Sequence, residues 1–272
     1  MRLILISIGT LVCVVLVLIT IRFWGLSLPT YKFEHDFYNF NESSPQEIRV
    51  FHSVKTANEL LANHSNTIFW IETYMSSDSV FVVDSRSNLN NLIFDLKKNS
   101  ISNIKFKGRY LQNYSFEELR SLDLELLKLE DVLSLYSKNK FIISIKNNAE
   151  KIHTQFISLI EKLKIEKQIL IHSDYDIVIK SIKEERPLYT FGTTLSEIMR
   201  LKTFSTVFLT PAISIKGDAL ISKLTYKNRI LVTENLIKEI RRRQKYVFLG
   251  PLNTKEEISD AKKLHPDGLI IN

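Results

Sequence analysis

Three residues suited to chemistry stand at the ends of short apolar runs. His52 closes Glu47–His52 (EIRVFH), Glu72 follows Ile68–Ile71, and Lys146 follows Phe141–Ile145. Each run is short and rich in β-branched or aromatic residues, so each reads as a strand. Strand side chains alternate between faces, so Glu72 shares its facing with Tyr74, and Ser144 shares its facing with Lys146. An imidazole at a strand end can move protons. Histidine is also commonly just a half-buried residue. A lone Glu72 among neutral hydroxyls would hold Mg2+ or Ca2+ weakly, because these ions want several hard oxygens, anionic ones included. Glu72 can instead pair with Lys146 or Arg86. His172 ends a further strand, Gln168–His172, whereas His64, His153 and His265 fall on loop or helix positions.

Other chemistries are excluded by what the sequence lacks. No two histidines stand at HxH or HxxxH spacing, so no zinc constellation is read. The single cysteine, Cys13, can form neither a disulfide framework nor a cysteine-based metal site within one chain. No Gly-x-Ser-x-Gly elbow occurs. With 7 glycines in 272 residues, and no GxGxxG or P-loop pattern, a glycine-rich nucleotide cradle is not expected. The net charge of +7 favours anionic partners, a membrane surface included, but reads first as a lysine-rich solvated face. The basic run Glu239–Lys245 (EIRRRQK) lies in the last turn of a helix, where arginines answer the helix dipole and stay solvated. It lacks the interleaved aromatics that stack bases, so no nucleic-acid partner is expected.

The elements that must position these residues begin with a hydrophobic segment. Leu3–Ile21 is a run of 19 residues without a charge, flanked by Arg2 and Arg22. A helix of about 20 apolar residues spans a bilayer core. No small-x-small cleavage site comes after it, so the run reads as an uncleaved single-pass signal anchor with Phe23 and Trp24 in the interface belt. The positive amino end weakly favours export of the rest of the chain. The expected organisation is a transmembrane anchor over 1–24, a linker over 25–46 and one domain over 47–272.

Within that domain, strands alternate with helices. Strands are expected at Glu47–His52, Ile68–Thr73, Val80–Asp84, Phe141–Ile145, Gln168–His172, Leu188–Phe191, Thr206–Leu209, Tyr246–Leu249 and Asp267–Ile271. Helices are expected at Thr56–Asn63, Tyr114–Asp131, Lys151–Glu166, Tyr175–Lys183, Thr233–Gln244 and Thr254–Leu264. Ser115 and Glu118 are spaced as a capping box. Wholly apolar strands alternating with helices imply a parallel sheet sheathed by helices. The fold expected is α/β, a (β/α)8 TIM barrel preceded by one N-terminal transmembrane helix, somewhat compact against the usual length of about 250 residues. An open doubly wound sheet is the runner-up.

The stretch Ile68–Arg86 (IFWIETYMSSDSVFVVDSR) resembles the second barrel strand and adjoining hairpin of the glycerophosphodiester phosphodiesterase family, within the phospholipase-C-like TIM-barrel superfamily. In that family an apolar pair, Glu, any residue and Asp precede Asp-Gly, a Val-rich strand and His-Asp. This chain keeps Glu72 and Asp78, with Tyr74, Ser79 and Ser85-Arg86 at the other positions. Further likenesses occur in order: Gly108–Asp123, Leu129–Leu133 (LEDVL), Phe141–Lys146 (FIISIK), Asn253–Glu257 (NTKEE) and Asp267–Asn272 (DGLIIN).

The resemblance implies hydrolysis of a glycerophosphodiester to glycerol phosphate and an alcohol. Such enzymes use two histidines as acid and base, with three carboxylates around a divalent cation. By the same resemblance His52 is the first histidine, Lys146 the phosphate-pairing lysine and Glu72 the first metal ligand. Ser53 replaces an arginine, Tyr74 and Ser144 replace two metal carboxylates, and Ser85 replaces the second histidine. Strand alternation points Asp84 away from the site. The reading favoured is a membrane-anchored, catalytically impaired barrel of this kind, without a cofactor, binding a glycerophosphodiester or other phosphate ligand or acting as a scaffold. A divergent active phosphodiesterase using Ca2+ or Mg2+ is one alternative. A structural membrane protein with an unrelated α/β domain is another.

Overall fold

The computed structural model describes residues 2–40, 45–63, 67–83, 106–107, 110–122, 126–227 and 229–272. It begins with a helix, α1 (Arg2–Ser27), which runs past the expected end of the anchor. The 22 residues Ile6–Ser27 are long and apolar enough to cross a membrane.

Among the described residues, seven strands form the parallel sheet: β1 (Gln46–Val50), β2 (Ile68–Met75), β5 (Lys140–Ile145), β6 (Ile169–Ser173), β7 (Ala219–Ser222), β10 (Tyr246–Leu252) and β11 (Gly268–Ile271). They pair in the lateral order β6-β5-β2-β1-β11-β10-β7. Two single parallel bridges, Ile171↔Phe191 and Gly192↔Ala219, join β6 to β7 through residues 191–192. The Ile171 amide donates to the Thr190 carbonyl at 2.8 Å, and the Thr193 amide donates to the Ala219 carbonyl at 2.9 Å. These bonds close the ring as an eighth stave, so the sheet is a barrel and not an open doubly wound sheet.

Helices sheathe it: α2 (Val54–Asn63), α4 (Leu129–Leu135), α5 (Ile152–Leu163), α6 (Asp176–Glu185), α7 (Leu195–Ser205), α8 (Glu234–Arg242) and α9 (Lys255–Lys263). Outward strand residues such as Phe69, Ile71, Phe141 and Ile143 pack against these helices. The inward set, Ile48, Ile68, Trp70, Ile142, Leu170, Ile221, Phe248 and Ile270, fills the barrel. This two-residue alternation is what the strand sequences encode.

Two small antiparallel excursions decorate the ring. Between β2 and β5, the chain turns at Ser76–Ser79 into β3 (Phe81–Val83), which pairs with β2 and in turn with β4 (Leu127–Lys128). Asp78 is absorbed here: its carboxylate accepts from the Ser76 hydroxyl at 2.5 Å and from the Phe116 amide at 3.0 Å. The capping box holds, with the Ser115 amide 2.9 Å from Glu118 Oε2. Beyond the carboxyl end of β7, the exposed β8 (Thr225–Tyr226) pairs with β9 (Arg229–Ile230).

Four expectations change. The helix expected over Tyr114–Asp131 is divided into α3 (Phe116–Leu122) and α4, because Leu127 and Lys128 pair with Val83 and Val82. Thr206–Leu209 is a loop after α7, itself unexpected, and the strand in that part of the barrel is Ala219–Ser222. Leu188–Phe191 contributes only the bridge at Phe191, and Gly192 makes the other. The 25–46 stretch does more than link, since Phe37 and Tyr38 are buried at the amino end of the barrel. The polar stretch 88–98 lies outside the described residues.

Candidate functional site

The carboxyl ends of the staves carry the polar inward residues. Parallel register sets Glu72 beside Ser144, and Ser144 beside His172, on three adjacent staves. All three share the inward parity of Trp70, Ile142 and Leu170 one layer below. Two residues further along come Tyr74, Lys146 and Asp174. The Phe51 amide donates to the Trp70 carbonyl, so continuation of the β1–β2 register puts His52 alongside Glu72.

Within this constellation the groups are paired. Lys146 Nζ lies 3.1 Å from Glu72 Oε1 and 3.7 Å from Asp174 Oδ2. The Trp70 indole N–H donates to the same Glu72 oxygen at 3.3 Å, and the Lys146 ammonium stands 5.8 Å from the Trp70 ring. Ser144 Oγ and His172 Nδ1 are 2.9 Å apart. His172 is buried against Trp70, ring centroids 5.3 Å apart. Its pKa is pushed down to about 3, first by burial and then by the positive charge of Lys146, with Asp174 opposing. At neutral pH it is therefore a neutral imidazole.

A cavity of about 140 Å³ opens above these groups, lined in part by Trp70, Lys146, His172, Asp174, Lys223 and Tyr226. Gly192 keeps its wall thin: a Cβ there would lie 2.6 Å from Ile221 Cδ1 and 3.3 Å from the His172 ring.

No protein-family model and no curated protein matches the sequence. Solved structures do match. A protein assigned as a glycerophosphoryl diester phosphodiesterase from Silicibacter pomeroyi DSS-3 has a TM-score of 0.62 and 13% identity, covering 92% of this chain and 93% of that one. A glycerophosphodiester phosphodiesterase from Agrobacterium tumefaciens str. C58 has a TM-score of 0.54 and 12% identity, covering 84% and 95%. A phosphodiesterase from Oleispira antarctica, solved with the product sn-glycerol-3-phosphate, has a TM-score of 0.55 and 11% identity, covering 84% and 93%. The fold is that of the glycerophosphodiester phosphodiesterases.

On this phosphodiesterase fold, the structure gathers Glu72, Ser144 and Lys146 at one mouth, with His52 at the end of the neighbouring stave. Ser53 has a local duty: its hydroxyl accepts from the Thr56 amide at 3.2 Å while Thr56 Oγ1 accepts from the Ser53 amide at 3.2 Å, capping α2. Tyr74 packs against the apolar cluster of the β2–β5 excursion, around Val82, Tyr114 and Leu119. Ser85, Asp84 and Arg86 lie outside the described residues.

The sequence reading gives no role to two participants: His172, which it places only at a strand end, and Asp174. Their signal was parity: in register with Ser144 and Lys146, they continue the inward row of the next strand. It also read the arginines after Glu239 as solvated. Instead Arg243 is mostly buried, with its guanidinium on the carbonyls of Thr210 and Pro211 at 2.8 and 2.9 Å and on Glu239 at 2.7 Å.

Proposed function

We propose that this chain is a membrane-anchored member of the glycerophosphodiester phosphodiesterase family that no longer hydrolyses its ligand and binds a phosphate-bearing molecule at the carboxyl mouth. One observation carries the reading: an ammonium, Lys146, stands against the Glu72 carboxylate at 3.1 Å. The resemblance assigns a divalent cation to the carboxylates at positions 72, 74 and 144. Here those positions are Glu, Tyr and Ser. An entering Mg2+ or Ca2+ would have to displace Lys146 and then find too few anionic oxygens. The residues present do not fit the ion.

The alternative, a divergent hydrolase, draws support from His172, a second imidazole in the mouth. Its depressed pKa argues against that role. A group titrating near 3 is unprotonated at neutral pH, so it has no proton to donate to a leaving alkoxide, and it is a feeble base. What remains is recognition: Lys146 and Lys223 stand in the lining of a small, mostly apolar cavity and suit a phosphate oxygen.

The test is turnover of glycerophosphocholine by the full chain in detergent, with Ca2+ or Mg2+, beside calorimetric binding of glycerol 3-phosphate. We predict turnover no greater than that of His52→Ala, and glycerol phosphate binding that Lys146→Met weakens about tenfold, the equivalent of about 1.4 kcal/mol for one charge-assisted contact. Metal-dependent turnover abolished by His52→Ala would establish the hydrolase instead.

A further inference from the structure

The end of α1 packs on a defined part of the barrel. Its Gly25 meets the segment after α7: a Cβ on Gly25 would lie 2.4 Å from the Pro211 carbonyl carbon and 2.5 Å from the Ala212 nitrogen. Only a glycine allows that approach. Arg22 Nη1 donates to the Phe208 carbonyl at 3.2 Å, and its guanidinium lies 5.8 Å from the Phe208 ring. Arg242 donates to the Leu26 carbonyl at 3.4 Å. The segment under α1 is itself held, since Arg243 binds the carbonyls of Thr210, Pro211 and Ile213.

Just beside this junction, four large apolar side chains are exposed. Phe23 is 65% exposed, Trp24 62%, Val207 51% and Phe208 65%. Phe208 adopts φ 58°, a left-handed conformation unfavourable for a bulky residue. Among the described residues, nothing in the barrel's own packing rewards an aromatic held outward in this way. The Arg22 contact puts Phe208 at the depth of Arg22, within a turn of Phe23 and Trp24. Aromatic residues at that depth of a membrane-length helix belong to the headgroup belt.

We propose that Val207 and Phe208 insert into the same bilayer interface as Phe23 and Trp24, so that the barrel stands on the membrane by its amino end. The inference rests on the reading of α1 as an anchor. From Ile6 to Ser27 the helix is about 33 Å long at 1.5 Å per residue, enough for a hydrocarbon core of about 30 Å. Chain direction then decides which mouth faces the lipid. α7 leaves the carboxyl ends of the staves at Thr194 and ends at Ser205, and the chain re-enters the barrel at the amino end of β7. The 206–209 loop is therefore at the amino end. Lys146 and its cavity open at the other end, a stave's length away, into water. The ligand of that cavity is accordingly a water-soluble phosphate ester and not a lipid headgroup of the anchoring membrane.

The test uses the full chain carrying Cys13→Ala, in nanodiscs of phosphatidylcholine and phosphatidylglycerol, with one nitroxide-labelled cysteine at a time. Phe23→Cys reports the anchor, Val207→Cys the loop, and Ile230→Cys the exposed rim of the carboxyl mouth. Collision with oxygen, which concentrates in lipid, is compared with collision with a water-soluble nickel chelate. The expected oxygen-to-nickel ratio is several-fold higher at 23 and 207 than at 230. A membrane-like ratio at 23 with a water-like ratio at 207 would overturn the insertion while leaving the anchor intact. A water-like ratio at 23 would overturn both. A membrane-like ratio at 230 would reverse the orientation.

Discussion

The two mouths of the barrel are built on opposite principles. At the amino mouth, Phe37 is fully buried beneath the interior layer, edge-on to Phe248 with ring centroids 6.5 Å apart. Tyr38 stacks on Tyr246 at 4.0 Å. Lys140 secures this plug by donating to the carbonyls of Phe37 and Asn39 at 3.0 and 2.9 Å, with its pKa lowered by burial. Among the described residues, the carboxyl mouth has no such plug. Its floor is Trp70, and above it lie ionic and hydrogen-bonding groups that satisfy one another across neighbouring staves. Apolar closure stabilises by removing area from water. Paired charges in a half-open mouth add little to stability, and beside them lies a small cavity that a ligand can enter. The first mouth is structural, and the second is where the proposed ligand would bind.

The largest expected effect tests the plug. We predict that Phe37→Ala destabilises the full chain by about 3–5 kcal/mol in chemical denaturation, since it empties a fully buried aromatic site. A loss below about 1 kcal/mol would mean that the amino mouth is not held shut by this ring.

Next comes the buried imidazole. His172 has a folded pKa of about 3 against an ordinary value near 6.5, so between those values the unfolded chain binds the extra proton. Its contribution to stability is complete above about pH 6.5 and declines as the pH falls toward 3, by at most about 1.4 kcal/mol per unit. Asp218 and Asp267, whose pKa values burial raises, act in the opposite sense at low pH. The quantity to measure is therefore the difference in acid sensitivity between the wild type and His172→Asn, and we predict the variant to be less acid-sensitive. Equal slopes would place His172 in contact with solvent. Lys146→Met sharpens the same point: removal of the positive charge should raise the His172 pKa in an NMR titration.

The smallest effect is that of Ser144→Ala. Its hydroxyl makes one buried bond to His172 Nδ1, so we predict a loss of about 1 kcal/mol in denaturant midpoint analysis. A stabilising Ser144→Ala would show that the carboxyl mouth holds its polar residues against stability.

Much of this was legible beforehand. Short apolar runs such as Phe141–Ile145 and the capping pair Ser115 and Glu118 carry local signals, and the strand and the helix start they mark are where they are expected. The eighth stave was legible only in part: a strand is expected at Leu188–Phe191, but only residues 191–192 pair, by single bridges, and closure rests on those contacts between residues distant in the chain. The division at Leu127–Lys128 was hidden for a related reason: a two-residue pairing with β3 overrides helix periodicity. The pairing of Glu72 with Lys146 could be named as an option from facing alone. His172 could not be joined to Ser144 without the register between β5 and β6.

The sequence by itself determined the alternation of buried strands and amphipathic helices, the membrane-length run at the start, and the absence of carboxylates at positions 74 and 144. Each is a matter of residue type and local spacing, which a single chain displays directly. The tertiary structure alone decided that the ring closes, that Phe37 seals one end, that a neutral His172 stands in the other, and that Gly25 fits α1 against the amino face. Those facts depend on distances between residues far apart in the chain, which only the packed barrel sets.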